Sequence, residues 1–118
     1  MDNKRKGNIG EKKACEYLKS LGYQIIEQNF HCKVGEIDII ARDGSYLVFA
    51  EVKYRKNASY GMPQEAVNYA KQKKISQTAG YYLMIKHMQE NVSVRFDVVS
   101  VLEDEVTVIK NAFPYCFG

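Results

Sequence analysis

Four ionisable residues stand inside one strongly apolar stretch of this chain. Glu36, Asp38, Glu51 and Lys53 are embedded among Ile, Val, Phe and Tyr in GEIDIIARDGSYLVFAEVKYR, residues 35–55. Burying a bare carboxylate is costly, so acids in that background require a compensating charge. A divalent cation with a lysine beside it supplies one. Hard cations take oxygen ligands, and Mg²⁺ keeps several of its own waters, so two or three carboxylates are enough. The competing reading is an internal ion pair of Glu51 with Lys53 or Arg55, which leaves Asp38 without a partner.

The positions of these groups follow from the stretch itself. It reads as two strands joined at Asp43–Gly44, because Asp-Gly suits a tight hairpin turn. A two-residue loop there sets Asp38 against Phe49 and Glu51 against Glu36, making Asp38 and Glu51 diagonal neighbours on one face. A four-residue loop sets the two acids directly opposite. A three-residue loop without a bulge separates them, because a slip of one residue turns every side chain over. Glu51, Lys53 and Arg55 alternate and so point the same way.

The remaining elements have to hold that ribbon. Asn8 to Leu21 reads as a helix with Ala14, Leu18 and Leu21 recurring at helical spacing, Cys15 beside them and Gly22 just past the end. Glu11 falls inside this apolar stripe, away from the charged face of Lys12, Lys13, Glu16 and Lys19. It is either a first-turn acid favoured by the helix dipole or a third acid aimed at the site. Tyr23 to Phe30 reads as a strand, and the His31–Cys32 pair that follows reads as an incidental loop pair.

After Arg55 comes a polar loop in which Arg55, Lys56 and Tyr60 suit either a substrate-facing surface or a solvated turn. Pro63 opens a second helix, expected to run to about Lys86 with Val67, Ile75, Thr78, Ala79 and Tyr82 inward and Ala70 at the margin. Lys71 lies within that stripe and Lys74 near its edge. Their ammonium groups either snorkel to water or reach a phosphate or the acids. Strands are expected at Val92 to Leu102, where Arg95 and Asp97 share a face, and at Glu105 to Lys110. Phe113, Tyr115 and Phe117 mark a tail that packs on the domain or on a partner. The order predicts an α/β sandwich, a mixed central sheet flanked by helices.

Composition sets the outer bounds. The chain has 118 residues, enough for a single domain spanning 1–118 and one core. It is 46% hydrophobic and 26% charged, as soluble α/β proteins are. A net charge of +3 permits nucleic-acid binding without demanding it. No apolar run is long enough to span a membrane, and the start is too polar for a signal peptide. The charged segment Met1 to Lys6 is expected to be loosely ordered. Cys15, Cys32 and Cys116 make an odd count without paired spacing, so reduced thiols and a cytoplasmic location are expected.

An acid, a hairpin and then Glu-x-Lys resembles the signature of the PD-(D/E)xK nuclease superfamily, which includes type II restriction enzymes and archaeal Holliday-junction resolvases. The longer pattern is GEIDII, LVFAEVKYR, Tyr60-Gly61, a helix carrying Lys71, and Arg95-Phe96-Asp97. It resembles the small bacterial YraN family, from Gly10 to about Val101. Asp with Glu-x-Lys alone is a short pattern that chance produces often; the longer string is specific. Ile37 stands where the superfamily name has proline, a position that varies.

The resemblance implies a restriction-endonuclease-like fold and phosphodiester hydrolysis in DNA, branched or damaged. One or two Mg²⁺ or Mn²⁺ ions would provide hydroxide, charge relief and help for the leaving alkoxide. It implies Asp38, Glu51 and Lys53 as catalytic residues. Glu11 and the Val52 carbonyl would be further ligands, and a homodimer is implied by analogy with the resolvases. Arg55, Lys56, Tyr60, Lys71 and Lys74 would face nucleic acid. The rival is a docking module that kept the nuclease fold without its activity.

Overall fold

The structure, a computed structural model, describes residues 3–55, 67–88 and 92–116, with the side chains of 3–8 and 55 outside that description. Helix α1 (Asn3–Ser20) is followed by strands β1 (Gln24–His31), β2 (Glu36–Asp43) and β3 (Tyr46–Arg55), helix α2 (Tyr69–Ile85), and strands β4 (Ser93–Leu102) and β5 (Glu105–Phe113). The strands form one sheet in the order β1-β2-β3-β4-β5. Neighbours are antiparallel except β3 and β4, which are parallel. A parallel pair needs a crossover, and α2 lies within it.

Each helix covers one face. Ile75, Ala79, Tyr82 and Leu83 of α2 pack with Ile40, Leu47, Phe49, Phe96, Val98 and Phe113. Ala14, Cys15 and Leu18 of α1 pack with Tyr23, Ile39, Ala41, Val48, Ala50 and Val99. On β3 the odd residues Leu47 and Phe49 therefore face α2, and the even residues Val48 and Ala50 face α1. This is the α/β sandwich expected from the element order.

Several boundaries differ from the sequence-based expectation. Helix α1 begins at Asn3, so residues 3–6 are helical, as Lys and Arg are good helix formers. Leu21 is exposed because the helix closes before it. The Gly22 N–H donates to the Lys19 carbonyl and the Tyr23 N–H to the Leu18 carbonyl, with Gly22 at φ 95°, a Schellman stop. Helix α2 starts at Tyr69, and Pro63, the expected start, lies outside the described residues. Asn68 is its N-cap, accepting the Lys71 N–H at 2.9 Å, and its extended backbone keeps Val67 out of the helix. Ala70 is exposed. Strand β5 runs on to Phe113, whose ring stacks on Phe96 at 5.0 Å, while Tyr115 meets Phe96 edge-on at 5.5 Å. The tail thus packs back on the α2 face; Phe117 lies outside the described residues.

One buried polar network ties the strands together. Asp97 is fully buried and accepts from Arg95, from the Tyr23 hydroxyl at 2.7 Å and from the Asn111 N–H at 3.0 Å. Arg95 also reaches Asp43 at the hairpin turn, at 2.8 Å. The network joins β4 and β5 to the residue leading into β1 and to the turn. The shared face read for Arg95 and Asp97 is realised as a direct pair. Tyr23 holds its proton well above the ordinary phenol range, because of burial first and the Asp97 carboxylate second.

Candidate functional site

The hairpin turn decides where the acids lie. The last pair is Asp43 opposite Tyr46, so the loop residues are Gly44 and Ser45, one step later than the expected Asp43–Gly44. Of these only Gly44 has positive φ, at 60°, as a type II′ turn requires; the type I′ turn suited to Asp-Gly needs it at both positions. Asp43 instead sits on the strand, where Arg95 binds it. The register ends with Ile39 opposite Ala50, and Asp38 and Glu51 are the next residues beyond that pair on the two strands. That is the register of the longer-loop reading, with the ladder stopping one residue short of the two acids.

At Asp38 the β2–β3 ladder gives way to a side-chain contact. The Val52 N–H donates to Asp38 Oδ2 at 2.8 Å, so the carboxylate replaces a main-chain acceptor. Val52 was expected to offer its carbonyl; its N–H is what fixes Asp38. Glu51 is buried, at 8% exposure, and faces α2. Its Oε1 lies 3.9 Å from Lys53 Nζ and 3.8 Å from Lys71 Nζ. Those separations are ion-pair distances but too long for hydrogen bonds.

The electrostatics are those of two acids forced together. Burial raises the Asp38 carboxyl above its ordinary range, the Val52 N–H opposes this, and Glu36 adds to it. Glu51 is pushed up to about 7, by burial first and then by the Asp38 charge, with Lys71 and Lys53 pulling the other way. Glu11, half-buried on α1, is raised by burial. A hydrogen bond from the Asn29 side chain lowers it, and Asp38 and Glu36 raise it. Glu11 on the helix and Glu51 on β3 therefore each sense the charges of Asp38 and Glu36 on β2. Even so, among the described residues no three His, Cys, Asp or Glu side chains are close enough to share an ion.

The residues singled out from the sequence divide accordingly. Asp38, Glu51, Lys53 and Lys71 come together, and Glu11 approaches from the α1 side. Lys74 is exposed one turn after Lys71, lining the cleft beside Glu36. Lys56, Tyr60 and the side chain of Arg55 lie outside the described residues. Asn29 went unnoticed. It has φ 55° inside β1. Gln28 opposite Ile39 and Phe30 opposite Ile37 place it opposite Asp38. Its signal was an asparagine within an otherwise strand-forming run, since Asn is poor in strands and tolerant of positive φ.

The donor set suits a hard cation. Among the described residues Asp38 has an oxygen beyond the one Val52 holds, and Glu51, paired with two ammonium groups, is destabilised as an anion by burial. An added positive charge would relieve both carboxylates, and waters would complete an oxygen shell.

A mixed five-stranded sheet between two helices, with paired acids on its central hairpin, defines a restriction-endonuclease-like sandwich. The chain belongs to the uncharacterised protein family UPF0102, also called the YraN family, whose model matches residues 10–101. Among similar proteins, a UPF0102 protein of Lachnoclostridium phytofermentans is 49% identical over 113 residues, covering 96% of each chain. Another, from Geotalea daltonii, is 49% identical over 98% of this chain and 94% of its own. A third, from Caldicellulosiruptor saccharolyticus, is 42% identical over 96% of this chain and the whole of its own.

Proposed function

We propose that this chain is a metal-dependent endonuclease hydrolysing phosphodiester bonds in DNA, branched or damaged. The observation that supports this best is the Asp38–Glu51 pair, two mutually repelling acids brought together by register, with two ammonium groups within 4 Å of Glu51. In this reading Asp38 and Glu51 hold Mg²⁺ or Mn²⁺, which when bound activates a water and neutralises charge on the phosphate. The Val52 N–H orients Asp38. Lys53 and Lys71 stabilise negative charge developing on the phosphate oxygens, and Glu11 keeps further negative charge on the α1 side.

A second reading has an observation of its own. Glu51 already has two cationic neighbours, and no three-ligand cluster exists among the described residues. Both suit a docking module that kept the fold. Linear, nicked, flap and four-way DNA incubated with Mg²⁺ or Mn²⁺ separates the two. Wild type is expected to cut at least one substrate with metal and none with a chelator, and Glu51→Ala is expected to cut none. Cleavage that survives Glu51→Ala, or no cleavage by any protein, defeats the nuclease reading.

A further inference from the structure

Next to the acid pair lies a cleft of about 410 Å³ between the segment after β1 and helix α2. His31, Cys32 and Glu36 line one wall, Lys71 and Lys74 the other, with Ile75 also lining it. Lys71 belongs to both places, since its ammonium stands 3.8 Å from Glu51. The cleft therefore lies beside the acid pair, with Lys71 between them.

Its charge is arranged against the interest of the helix that carries it. Helix α2 has no acid in its first turn and no base in its last. Lys71, Lys73 and Lys74 all fall within its first six residues, Tyr69 to Lys74. A cation at the positive end of a helix dipole is unfavourable, most of all in the first turn, where Lys71 stands. Among the described residues Glu51 is the only acid within ion-pair distance of any of the three, and it meets Lys71. An outside anion would balance both the lysines and the helix end.

We infer that this cleft holds the backbone phosphate neighbouring the one at the acid pair, on a single strand of nucleic acid. The inference rests on the nuclease reading for its choice of anion. A strand with one phosphate at Asp38 and Glu51 must carry its neighbour to one side, and among the described residues this cleft shares a lysine, Lys71, with the acid pair. Lys74 and His31 take the phosphate, and Ile75 offers an apolar surface to the sugar. Glu36 repels it and so directs it toward Lys74, away from the rim shared with the acids.

Cys32 is a reporter already in place. The full chain would be mixed with a fluorescein-labelled flap DNA in chelator, with binding followed by anisotropy across a salt series. Alkylation of Cys32 by N-ethylmaleimide would be read by mass spectrometry, with Cys116 as the internal reference. Bound DNA is expected to slow alkylation of Cys32 several-fold and to leave Cys116 unaffected. Lys74→Ala, at an exposed position, is expected to reduce the slope of log affinity against log salt by about one. Saturating DNA that leaves Cys32 at its free rate, or an unchanged slope in Lys74→Ala, overturns the inference. Cleavage with Cys32 unprotected would remove the cleft and keep the nuclease. Protection without cleavage would keep the cleft as a nucleic-acid site and remove the nuclease. Absence of any DNA binding would remove both.

Discussion

Glu51 is held where the fold would rather have a neutral group. Its carboxyl is pushed up to about 7 by burial and by Asp38. In the metal-free protein the folded chain keeps that proton to higher pH than the unfolded chain, whose glutamate titrates near the ordinary 4.5. Between those values the native state binds more protons, so stability falls as pH rises. The contribution is whole below about 4.5 and lost through about 7. It is worth at most about 3 kcal/mol. Urea unfolding in chelator is expected to show Glu51→Gln with a flatter pH profile and greater stability than wild type at pH 8, while losing cleavage. An unchanged slope would refute the burial argument. Asn29 makes a second case. Asn29→Gly keeps the positive φ available but deletes the amide that lowers the Glu11 carboxyl. The Glu11 pKa, followed by carboxyl NMR, is expected to rise while unfolding free energy stays within about 0.5 kcal/mol of wild type. A Glu11 titration unmoved by the change would remove Asn29 from the site. Residue chemistry was the legible part of the sequence, since acids in an apolar run announce themselves. Asn29 was not legible, because its role depends on a strand pairing and a helix packing that no local spacing encodes.

Elements set how closely those residues meet, and at Gly10 helix α1 lies close against Tyr54 of β3. A Cβ there would run into the ring of Tyr54. Glycine inside a helix costs roughly 1 kcal/mol against alanine, so the position is held by packing and not by propensity. The neighbour of Gly10 is Glu11, whose reach toward Asp38 depends on this approach. Gly10→Ala is therefore expected to lower metal-dependent cleavage, whatever helix propensity it gains. Tyr54→Ser, which removes the ring, is expected to restore it. A double-mutant cycle in urea should show coupling of about 0.5–3 kcal/mol, the range for residues in contact. Additive effects would mean that the ring simply swings aside. The sequence showed the type of every element, because apolar periodicity reports type well. It was weaker on ends, which depend on single hydrogen bonds. Asn68, capping Lys71, sets the start of α2 at Tyr69, which no apolar spacing marks. Asp43, held by Arg95, lies on the strand, and the turn falls one residue later than Asp-Gly alone suggested.

At the scale of the molecule the site draws on both layers of the sandwich. The hairpin in the middle of the sheet supplies Asp38 and Glu51, the helix on one face brings Lys71, and the helix on the other brings Glu11. Neither helix could reach these acids deep in the sheet; they meet where β2 and β3 part beyond Ile39 and Ala50. Charge is stored there at the expense of the whole fold, so a cation binding there must stabilise the whole fold. A ligand that binds only the native state adds about 2.7 kcal/mol at roughly a hundredfold excess over its Kd. For a chain of this length that is about 10 °C in Tm. Calorimetry of the full chain at pH 7.5 is expected to show Mn²⁺ raising Tm by that order, with the rise absent in Asp38→Ala and in Glu51→Gln. The variants also separate two causes that wild type combines. In Glu51→Gln the metal-free Tm should exceed that of wild type, because the repulsion is gone, while Mn²⁺ should no longer shift it. A Mn²⁺ shift of equal size in all three proteins would place the ion elsewhere on the surface and leave the acid pair as a feature of the scaffold.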